Sequence, residues 1–421
     1  MSSILSLALA SLWNRKATAM LTILAVALSV ALFLGVDKAR QGAREGFDAT
    51  FSGTHLIVGA RSGPINLLLY SVFRLGDATA EISWPTYEAI AAREDIAWTV
   101  PISLGDSHRG YRVMGTTHAY FERYKYAGDT PLRFVDGVRF EDLFDAVIGA
   151  DVADALGYEL GSPMVLTHGL GAAGLTDHDT RPFRVVGVLQ RTGTPVDRTI
   201  HVSLEAITAI HVGWESGTKN PLADTISEEM VRGFDLTPRT VTAVLVGLER
   251  RGTILRTKRA LDTYPGEALL AIMPGQALAQ LWEVTGVAER ALMAVSLFVI
   301  IVGLVSILTS ILTSLNERRR EMSILRAAGA RPAHIFLLMV LEAGALGLLG
   351  AVLGAVVVNL ALLAAGPLLT ARYGVSLLGT GADLTDLYTI VAVTMAALLM
   401  GAAPAWMALR RSLADGLSIK L

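Results

Sequence analysis

Four long apolar runs restrict what this 421-residue chain can fold into more than any other feature. They cover residues 17–36, 288–315, 335–365 and 387–409. At about 1.5 Å of rise per residue, each run is long enough to cross a hydrocarbon core of roughly 30 Å as a helix. Charged residues make up only 18% of the chain, and soluble domains average about 25%. The sequence therefore predicts four transmembrane helices together with a sizeable aqueous part.

Basic residues around these runs predict the orientation of the chain. Segment 316–334 carries five arginines against two glutamates, whereas segment 366–386 carries a single arginine. Lys and Arg in short loops mark the cytoplasmic side of a membrane. The basic residues outside the first and fourth runs are Arg15, Lys16, Arg410 and Arg411. We therefore expect segment 316–334 and both termini to be cytoplasmic, with a cytoplasmic tail at 410–421.

The N-terminal residues 1–16 have apolar side chains at helical spacing, which predicts an amphipathic helix on the inner face of the membrane. The first run is too long for the apolar part of a signal peptide, and no small-residue cleavage pattern follows it at Asp37. We interpret it as an uncleaved anchor.

Residues 37–287 then form one large extracytoplasmic domain. Strand-like runs occur at 54–58, 97–102, 111–114, 164–167, 183–188, 199–202 and 241–246, and helical pieces at 84–92, 151–156 and 253–261. Sparse helical stripes through Phe47 and through Trp282 continue the first and second runs outward as two stalks that stand side by side. The predicted fold is an α-helical membrane protein with four transmembrane helices plus a large mixed α/β extracytoplasmic domain between the first and second spans.

The segment 65–73 of this domain is apolar at nearly every position and is too short to span a bilayer. Two interpretations stay open. It packs into the core, or it forms an exposed apolar surface that touches lipid, an acylated substrate or a partner.

Segment 316–334 has the pattern of a helix with an apolar edge beside a cationic one. The residues that we expect to contact a cytoplasmic partner are Glu317, Arg319, Arg320, Glu321, Ile324, Leu325, Arg326 and Gly329. The alternative is an ordinary positive-inside loop without a docking role.

Glu317-Arg-Arg-Arg-Glu321 followed by Ile324-Leu-Arg-Ala-x-Gly-Ala330 resembles the cytoplasmic coupling segment of FtsX/MacB-type ABC transporter permeases. The order of Val147-Ile-Gly149, a short helix up to Gly157 and the strand at 183–189 is similar to the extracytoplasmic domain of MacB-type members. In that family the coupling segment docks into a separate ATPase. The resemblance implies a mechanotransmission permease that works as a dimer, a multi-pass protein of the bacterial cytoplasmic (inner) membrane.

The resemblance further implies a non-catalytic subunit that binds no cofactor, since ATP and Mg are used by the partner ATPase. Its expected partners are that ATPase, a second permease copy or paralogue, membrane lipid, and a periplasmic adaptor or lipoprotein; nucleic acid is not among them. The function that the resemblance implies is export or extraction of a lipoprotein, peptide or antibiotic. The alternative is a signalling or scaffold protein that activates a cell-envelope enzyme or senses antimicrobial peptides without transport.

Two features lie inside the apolar runs. Glu342 is the one ionisable residue of the third run, and such a group usually faces the interior of a helix bundle. Its role is open between a structural partner for the arginines of segment 316–334 or for backbone groups, and a part in transmission. Gly347, Gly350 and Gly354 form a small-residue face suited to close packing of helices.

Catalytic patterns are weak. Gly169-Leu-Gly171-Ala-Ala-Gly174 matches a dinucleotide-binding fingerprint, but a turn-like stretch follows where a helix is required. A metal site on His168, Asp177, His178 and Asp179 is a minor alternative to a solvated loop. The sequence has no phosphate-binding P-loop pattern and no cysteine. ATP hydrolysis is therefore expected in a partner.

Overall fold

The computed structural model describes residues 15–168, 181–213, 227–327, 329–373 and 381–414. Within these ranges the side chains at 168, 314–326, 369–373 and 408–414 are not described. The predicted helix at 1–16 and the loop at 169–180 fall outside the description, apart from residues 15 and 16. The chain forms two compact units. The helical unit comprises residues 1–42, 286–368 and 377–421, and the sheet unit comprises residues 43–285 and 369–376.

The helices follow in chain order. They are α1 (Lys16–Asp48), α2 (Pro64–Ser71), α3 (Trp84–Ala91), α4 (His118–Arg123), α5 (Ala150–Leu156), α6 (Leu204–Ile210), α7 (Glu228–Val231), α8 (Ile254–Asp262), α9 (Pro274–Ala327), α10 (Pro332–Tyr373) and α11 (Leu384–Ala414). Helices α1, α9, α10 and α11 are long and apolar enough to cross a membrane. The four transmembrane helices predicted from the sequence are confirmed.

Segment 316–334 differs from the single coupling helix that we expected. Helix α9 continues without interruption from the second run to Ala327, and helix α10 begins at Pro332. Gly329 lies between them with φ of +92°, a left-handed conformation that glycine adopts at little cost and that ends a helix. Proline suits the first turn of the next helix because its missing N–H needs no partner there. The segment is therefore the end of α9, a turn and the start of α10.

The third and fourth runs also extend beyond their predicted limits. Helix α10 reaches Tyr373 and helix α11 begins at Leu384, so both enter the predicted loop 366–386. Pro367 lies inside α10 and does not end it.

Close packing inside the helical unit depends on glycines of α10. A Cβ atom on Gly350 would lie 2.6 Å from Val26 Cβ of α1, and one on Gly354 would lie 2.5 Å from the carbonyl oxygen of Ala27. On the face of α10 that packs against α11, a Cβ on Gly347 would lie 2.4 Å from Ala397 Cβ. Small residues let helix backbones approach in lipid, where dispersion contacts and not hydrophobic burial hold helices together. The predicted face thus packs against two helices of the same chain.

The strands form one large sheet and two short pairs. They are β1 (Leu56–Ala60), β2 (Ile82–Ser83), β3 (Ile96–His108), β4 (Tyr111–Thr116), β5 (Lys125–Tyr126), β6 (Thr130–Pro131), β7 (Phe134–Gly137), β8 (Asp145–Ile148), β9 (Pro163–Met164), β10 (Thr167–His168), β11 (Phe183–Leu189), β12 (Thr199–Ser203), β13 (Thr240–Val241), β14 (Ala243–Leu248) and β15 (Leu269–Ile272). The large sheet has 11 strands, with nine in the order β15-β1-β14-β3-β4-β12-β8-β11-β7.

Strand β3 joins the two halves of this sheet. Its first part pairs antiparallel with β14, for example Val100 with Leu245, and its second part pairs antiparallel with β4. Beyond β4 the sheet becomes mixed, because β12 runs parallel to β4 and β11 runs parallel to β8. Parallel neighbours need a crossover; helix α5 lies in the segment between β8 and β11, and helices α4 and α5 lie in the longer segment between β4 and β12. The large mixed α/β domain predicted from the sequence is confirmed.

The open question about segment 65–73 is settled by burial. The segment forms helix α2, and Leu67, Leu68 and Tyr70 are exposed by 1% or less. Gly59 of β1 leaves room for this helix, since a Cβ there would lie 2.6 Å from Leu67 Cδ1. The segment belongs to the core of the sheet unit and is not an exposed apolar surface.

His201 lies fully buried on strand β12 beside aromatic rings. Its ring centroid is 5.3 Å from that of Tyr120 and 5.8 Å from that of Phe121, and its Nδ1 lies 3.3 Å from the carbonyl oxygen of Val147. Burial, together with the smaller effect of the nearby positive charge of Arg74, lowers the pKa of His201 from 6.5 to about 3. The imidazole is therefore neutral in the folded protein at physiological pH.

The buried histidine predicts a pH dependence of stability. An unfolded histidine binds a proton near pH 6.5, whereas His201 in the fold does so only near pH 3, so between these values acid favours the unfolded state. Stability of the sheet unit should fall by up to about 1.4 kcal/mol per pH unit more in the wild type than in His201→Gln. The measurement is urea unfolding by tryptophan fluorescence between pH 6 and 4. His118→Gln, at an exposed histidine, is the control. Equal slopes of unfolding free energy against pH for the wild type and His201→Gln would contradict a buried, neutral His201.

The glycine face predicts a packing defect. Replacing Gly350 and Gly354 together by leucine should lower the thermal stability of the purified protein, because overpacking costs about 1–3 kcal/mol per site. Membrane insertion should persist, since each helix stays long and apolar. Gly366→Leu is the matched control on α10, where a Cβ would meet no atom within 4 Å. A double variant as stable as that control would show that α1 and α10 do not meet at this face.

Candidate functional site

The predicted coupling residues lie at the end of an exceptionally long helix. Helix α9 has 54 residues, which corresponds to about 81 Å along its axis. Its first turns, up to Thr285, belong to the sheet unit, and its remainder belongs to the helical unit. The backbone of the expected contact residues from Glu317 to Arg326 is helical, and their side chains are outside the description. A continuous hydrogen-bonded helix thus leads from the sheet unit to the coupling segment.

The turn after this helix is compact and exposed. Gly329 and Arg331 are solvent-exposed. The backbone N–H of Arg331 donates to Nδ1 of His334 at 3.2 Å, and the N–H of His334 donates to the carbonyl oxygen of Arg331 at 2.9 Å. These bonds occupy polar groups at the start of α10 that have no partner within the helix. The turn therefore joins α9 and α10 through few residues.

Glu342 lies inside the helical unit, about 15 Å along α10 from Pro332 at helical rise. Its exposure is 6%, and Met339, Ala343 and Leu346 around it are exposed by 2% or less. Ala343 marks close contact with α11, since a Cβ on Gly401 would lie 2.5 Å from its Cβ. The carboxyl group thus faces the bundle interior, as intramembrane acids usually do. Of the arginines that we considered as partners, Arg331 is solvent-exposed, and the side chains of the other four are outside the description.

The two predicted stalk segments lie side by side within the sheet unit. Phe47 of α1 meets Trp282 of α9 edge to face at 5.4 Å between ring centroids, and the Arg44 guanidinium lies 5.4 Å above the Trp282 ring. Phe47 also contacts Phe73, with centroids 4.3 Å apart. Each aromatic pair of this kind adds about 0.5–1.5 kcal/mol beyond its buried area. The end of α1 and the start of α9 are therefore held together.

A buried ionic cluster was missed by the sequence analysis. Lys38 of α1 lies 3.2 Å from Asp386 of α11, measured between Nζ and Oδ2, and Asn359 of α10 donates to the same carboxylate at 3.0 Å. From the sequence, Asp386 lies at the end of the predicted loop 366–386 and has no assigned partner. The available signal was a lysine placed directly after an apolar run, where a charged group needs a partner.

The dinucleotide and metal sites considered in the sequence analysis fall almost entirely on residues that are not described. The glycine-rich stretch 169–174 and the acidic residues proposed with His168 for a metal are outside the description. Among the described residues, no group of three or more metal-ligating side chains comes together.

Two solved structures resemble part of the chain. The extracellular domain of the noncanonical ABC-type transporter YknZ from Gram-positive bacteria is 16% identical, with a TM-score of 0.31, over 52% of this chain and 99% of that one. The periplasmic region of MacB from Actinobacillus actinomycetemcomitans is 9% identical, with a TM-score of 0.33, over 55% of this chain and 94% of that one.

Sequence comparison gives a relative and two family matches. The chain is 28% identical over 177 residues to the uncharacterized ABC transporter permease MJ1507 of Methanocaldococcus jannaschii, a match that spans 42% of this chain and 40% of the relative. The FtsX-like permease C-terminal family matches residues 293–413, and the MacB-like periplasmic core domain matches residues 19–244. The second match alone covers more than half of the chain, which therefore belongs to the FtsX/MacB-type ABC transporter permeases.

Proposed function

We propose that this multi-pass membrane protein is the non-catalytic permease subunit of an ABC transporter. It couples ATP hydrolysis in a separate ATPase subunit to movement of its sheet unit. The observation that carries this proposal is helix α9, one unbroken helix that begins in the sheet unit and ends at the coupling segment. An ATPase that pulls on this segment moves a rod whose other end is attached to the sheet unit.

The burial of the long helices supports different roles for α1 and α9 in this coupling. In the most apolar stretch of α1, 39% of residues are buried within the chain, but in that of α9 only 17% are. Helix α1 is thus the packed element, while α9 presents large apolar side chains such as Leu292, Phe298 and Val302 outward. These side chains face lipid or a second copy of the permease, and a helix with few internal contacts moves at low cost.

The orientation follows from the basic residues. The turn between α9 and α10 lies in the cytoplasm with both termini, and the sheet unit lies outside the inner membrane. The ATP and Mg belong to the ATPase, and this chain binds neither. The substrate is a lipoprotein, peptide or antibiotic that the sheet unit engages outside the membrane, together with a periplasmic adaptor or lipoprotein.

The orientation is tested by reporter fusions. A reporter placed after Leu421 or within 318–331 should register as cytoplasmic, and one within 100–250 as extracytoplasmic. The measurement pairs an enzyme active only outside the cytoplasm with one active only inside it. A cytoplasmic signal from 100–250 would contradict the proposed function.

Docking of the ATPase is tested at Leu325. Replacing Leu325 with Asp places a carboxylate against the apolar groove expected on the ATPase, at a cost of a few kcal/mol, roughly 2–4. The complex should lose most of its affinity while the permease still inserts and folds. Co-purification and permease-stimulated ATP hydrolysis in nanodiscs measure the effect.

Ser323→Asp is the matched control for this change. It adds the same charge about 200° around the helix from Leu325 and should retain most of the binding. Full binding and stimulation by Leu325→Asp would show that the segment is only a topological loop.

A further inference from the structure

The ionic cluster of the helical unit ties three helices together. Nζ of Lys38 donates to the carbonyl oxygen of Gly381 at 3.0 Å and lies 3.2 Å from Asp386 Oδ2 and 3.7 Å from Asp383 Oδ2. Lys38 is 8% exposed and Asp386 is 4% exposed. Water therefore screens this pair little, and its geometry is fixed by directional bonds.

Asn359 brings helix α10 into the cluster. Its side-chain nitrogen donates to Asp386 Oδ2 at 3.0 Å and to the carbonyl oxygen of Ala355 at 2.8 Å. The backbone N–H of Asp386 in turn donates to Asp383 Oδ1 at 3.0 Å, which caps the start of α11. We call Lys38, Asn359, Asp383 and Asp386 the clasp.

The clasp lies at the end of the helical unit opposite to the turn at Gly329. Lys38 is about 33 Å along α1 from Lys16, close to the roughly 30 Å thickness of a hydrocarbon core. Asn359 lies in the second half of α10, and Asp386 lies in the first turn of α11. Side chains from three helices thus meet at one polar point, although α1 is far from α10 and α11 in the sequence.

The remaining contacts between α1 and α10 have a different character. Gly350 and Gly354 pack against Val26 and Ala27 through apolar atoms and backbone. Such contacts are made of many weak dispersion terms. The ion pair adds short directional bonds, and sliding by a single residue, about 1.5 Å, stretches them.

We propose that the clasp fixes the axial position of α1 relative to α10 and α11 and so makes α1 a second path for the movement produced at the coupling segment. Displacement of α10 reaches Lys38 through Asn359 and Asp386, and Lys38 passes it to the continuation of α1 up to Asp48. Lys38 and Asp386 are positioning residues in this scheme. The proposal rests on the proposed function and adds the residues that carry it.

Stability alone does not account for the clasp. A buried ion pair gains little net free energy, because removal of both charges from water offsets their attraction, and apolar side chains of similar volume serve as well. Where buried ion pairs are retained, their best-attested use is to fix register between packed elements. The clasp joins the interiors of α1 and α10 to the start of α11, so it can fix the register of all three helices.

The test uses the full chain with its ATPase in nanodiscs. The chain has no cysteine, so Glu45→Cys places a single nitroxide on the exposed part of α1 beyond Lys38. In the wild type, a non-hydrolysable ATP analogue should change the mobility of this label. In Lys38→Met and Asp386→Asn the change should fall at least threefold, while ATP hydrolysis continues. Lys38→Arg keeps the charge and should restore most of the response.

Arg40→Met is the matched control. It breaks an ion pair of similar length, 2.8 Å to Asp37, that lies within α1 and links no other helix, and the label should respond as in the wild type. If the single variants do not fold, Lys38→Met combined with Asp386→Leu removes both charges and leaves no lone buried charge. The same threefold loss is expected in this double variant.

The outcomes separate the two proposals. An equal response in the wild type and in the variants without the ion pair would overturn the clasp and leave the coupling function standing. If the label in the wild type does not respond to the nucleotide and ATP hydrolysis is not stimulated, both the clasp and the coupling function are overturned. Loss of the response in Arg40→Met as well would overturn the clasp, because any charge change near Lys38 would then suffice.

Discussion

Backbone hydrogen bonding inside the long helices is the constraint on which the rest of the molecule depends. No water satisfies N–H and C=O groups in a bilayer, so each span must be an unbroken helix. Helix α9 extends this continuity well beyond the about 20 residues that a span requires, to 54 residues. Because its hydrogen bonds must stretch to absorb a displacement, such a helix is stiff along its axis, which is what the proposed coupling function requires.

Two kinds of contact position the other long helices, and they act in complementary ways. Glycines at 347, 350 and 354 bring α10 close to α1 and α11, which gives close dispersion contacts. The ion pair of Lys38 with Asp386 has a single geometry and is nearly free of solvent. A bundle held by both kinds of contact is close-packed and also has directional bonds between its helices, as the proposed coupling function requires.

The sheet unit has the rigidity that such a role requires. Strand β3 pairs with β14 through its first part and with β4 through its second part, so one strand joins the two halves of the 11-stranded sheet. Helix α2 fills the space beside Gly59, and His201 stays neutral among aromatic rings. The contact of Phe47 with Trp282 holds the ends of α1 and α9 at this rigid body. In the proposed function, movement of either helix reaches the sheet through these contacts.

Much of the fold could be read from the sequence because the signals are local. A run of about 20 apolar residues has one stable solution in a bilayer, and the strand predicted at 183–188 lies within one residue of the observed Phe183–Leu189. The boundaries of segment 316–334 were less accurate, because the left-handed backbone of Gly329 depends on a turn that composition alone does not specify.

Only the tertiary structure decided the burial of segment 65–73 and the partners of Lys38. A segment that is apolar on every face has no period that distinguishes core from surface. Lys38 and Gly381 are 343 positions apart in the chain, and no spacing rule connects residues at that separation. The sequence by itself determined which segments enter the membrane, since that depends on each segment's own transfer from water to lipid. The tertiary structure decided which buried polar groups meet, since that depends on how several helices pack together.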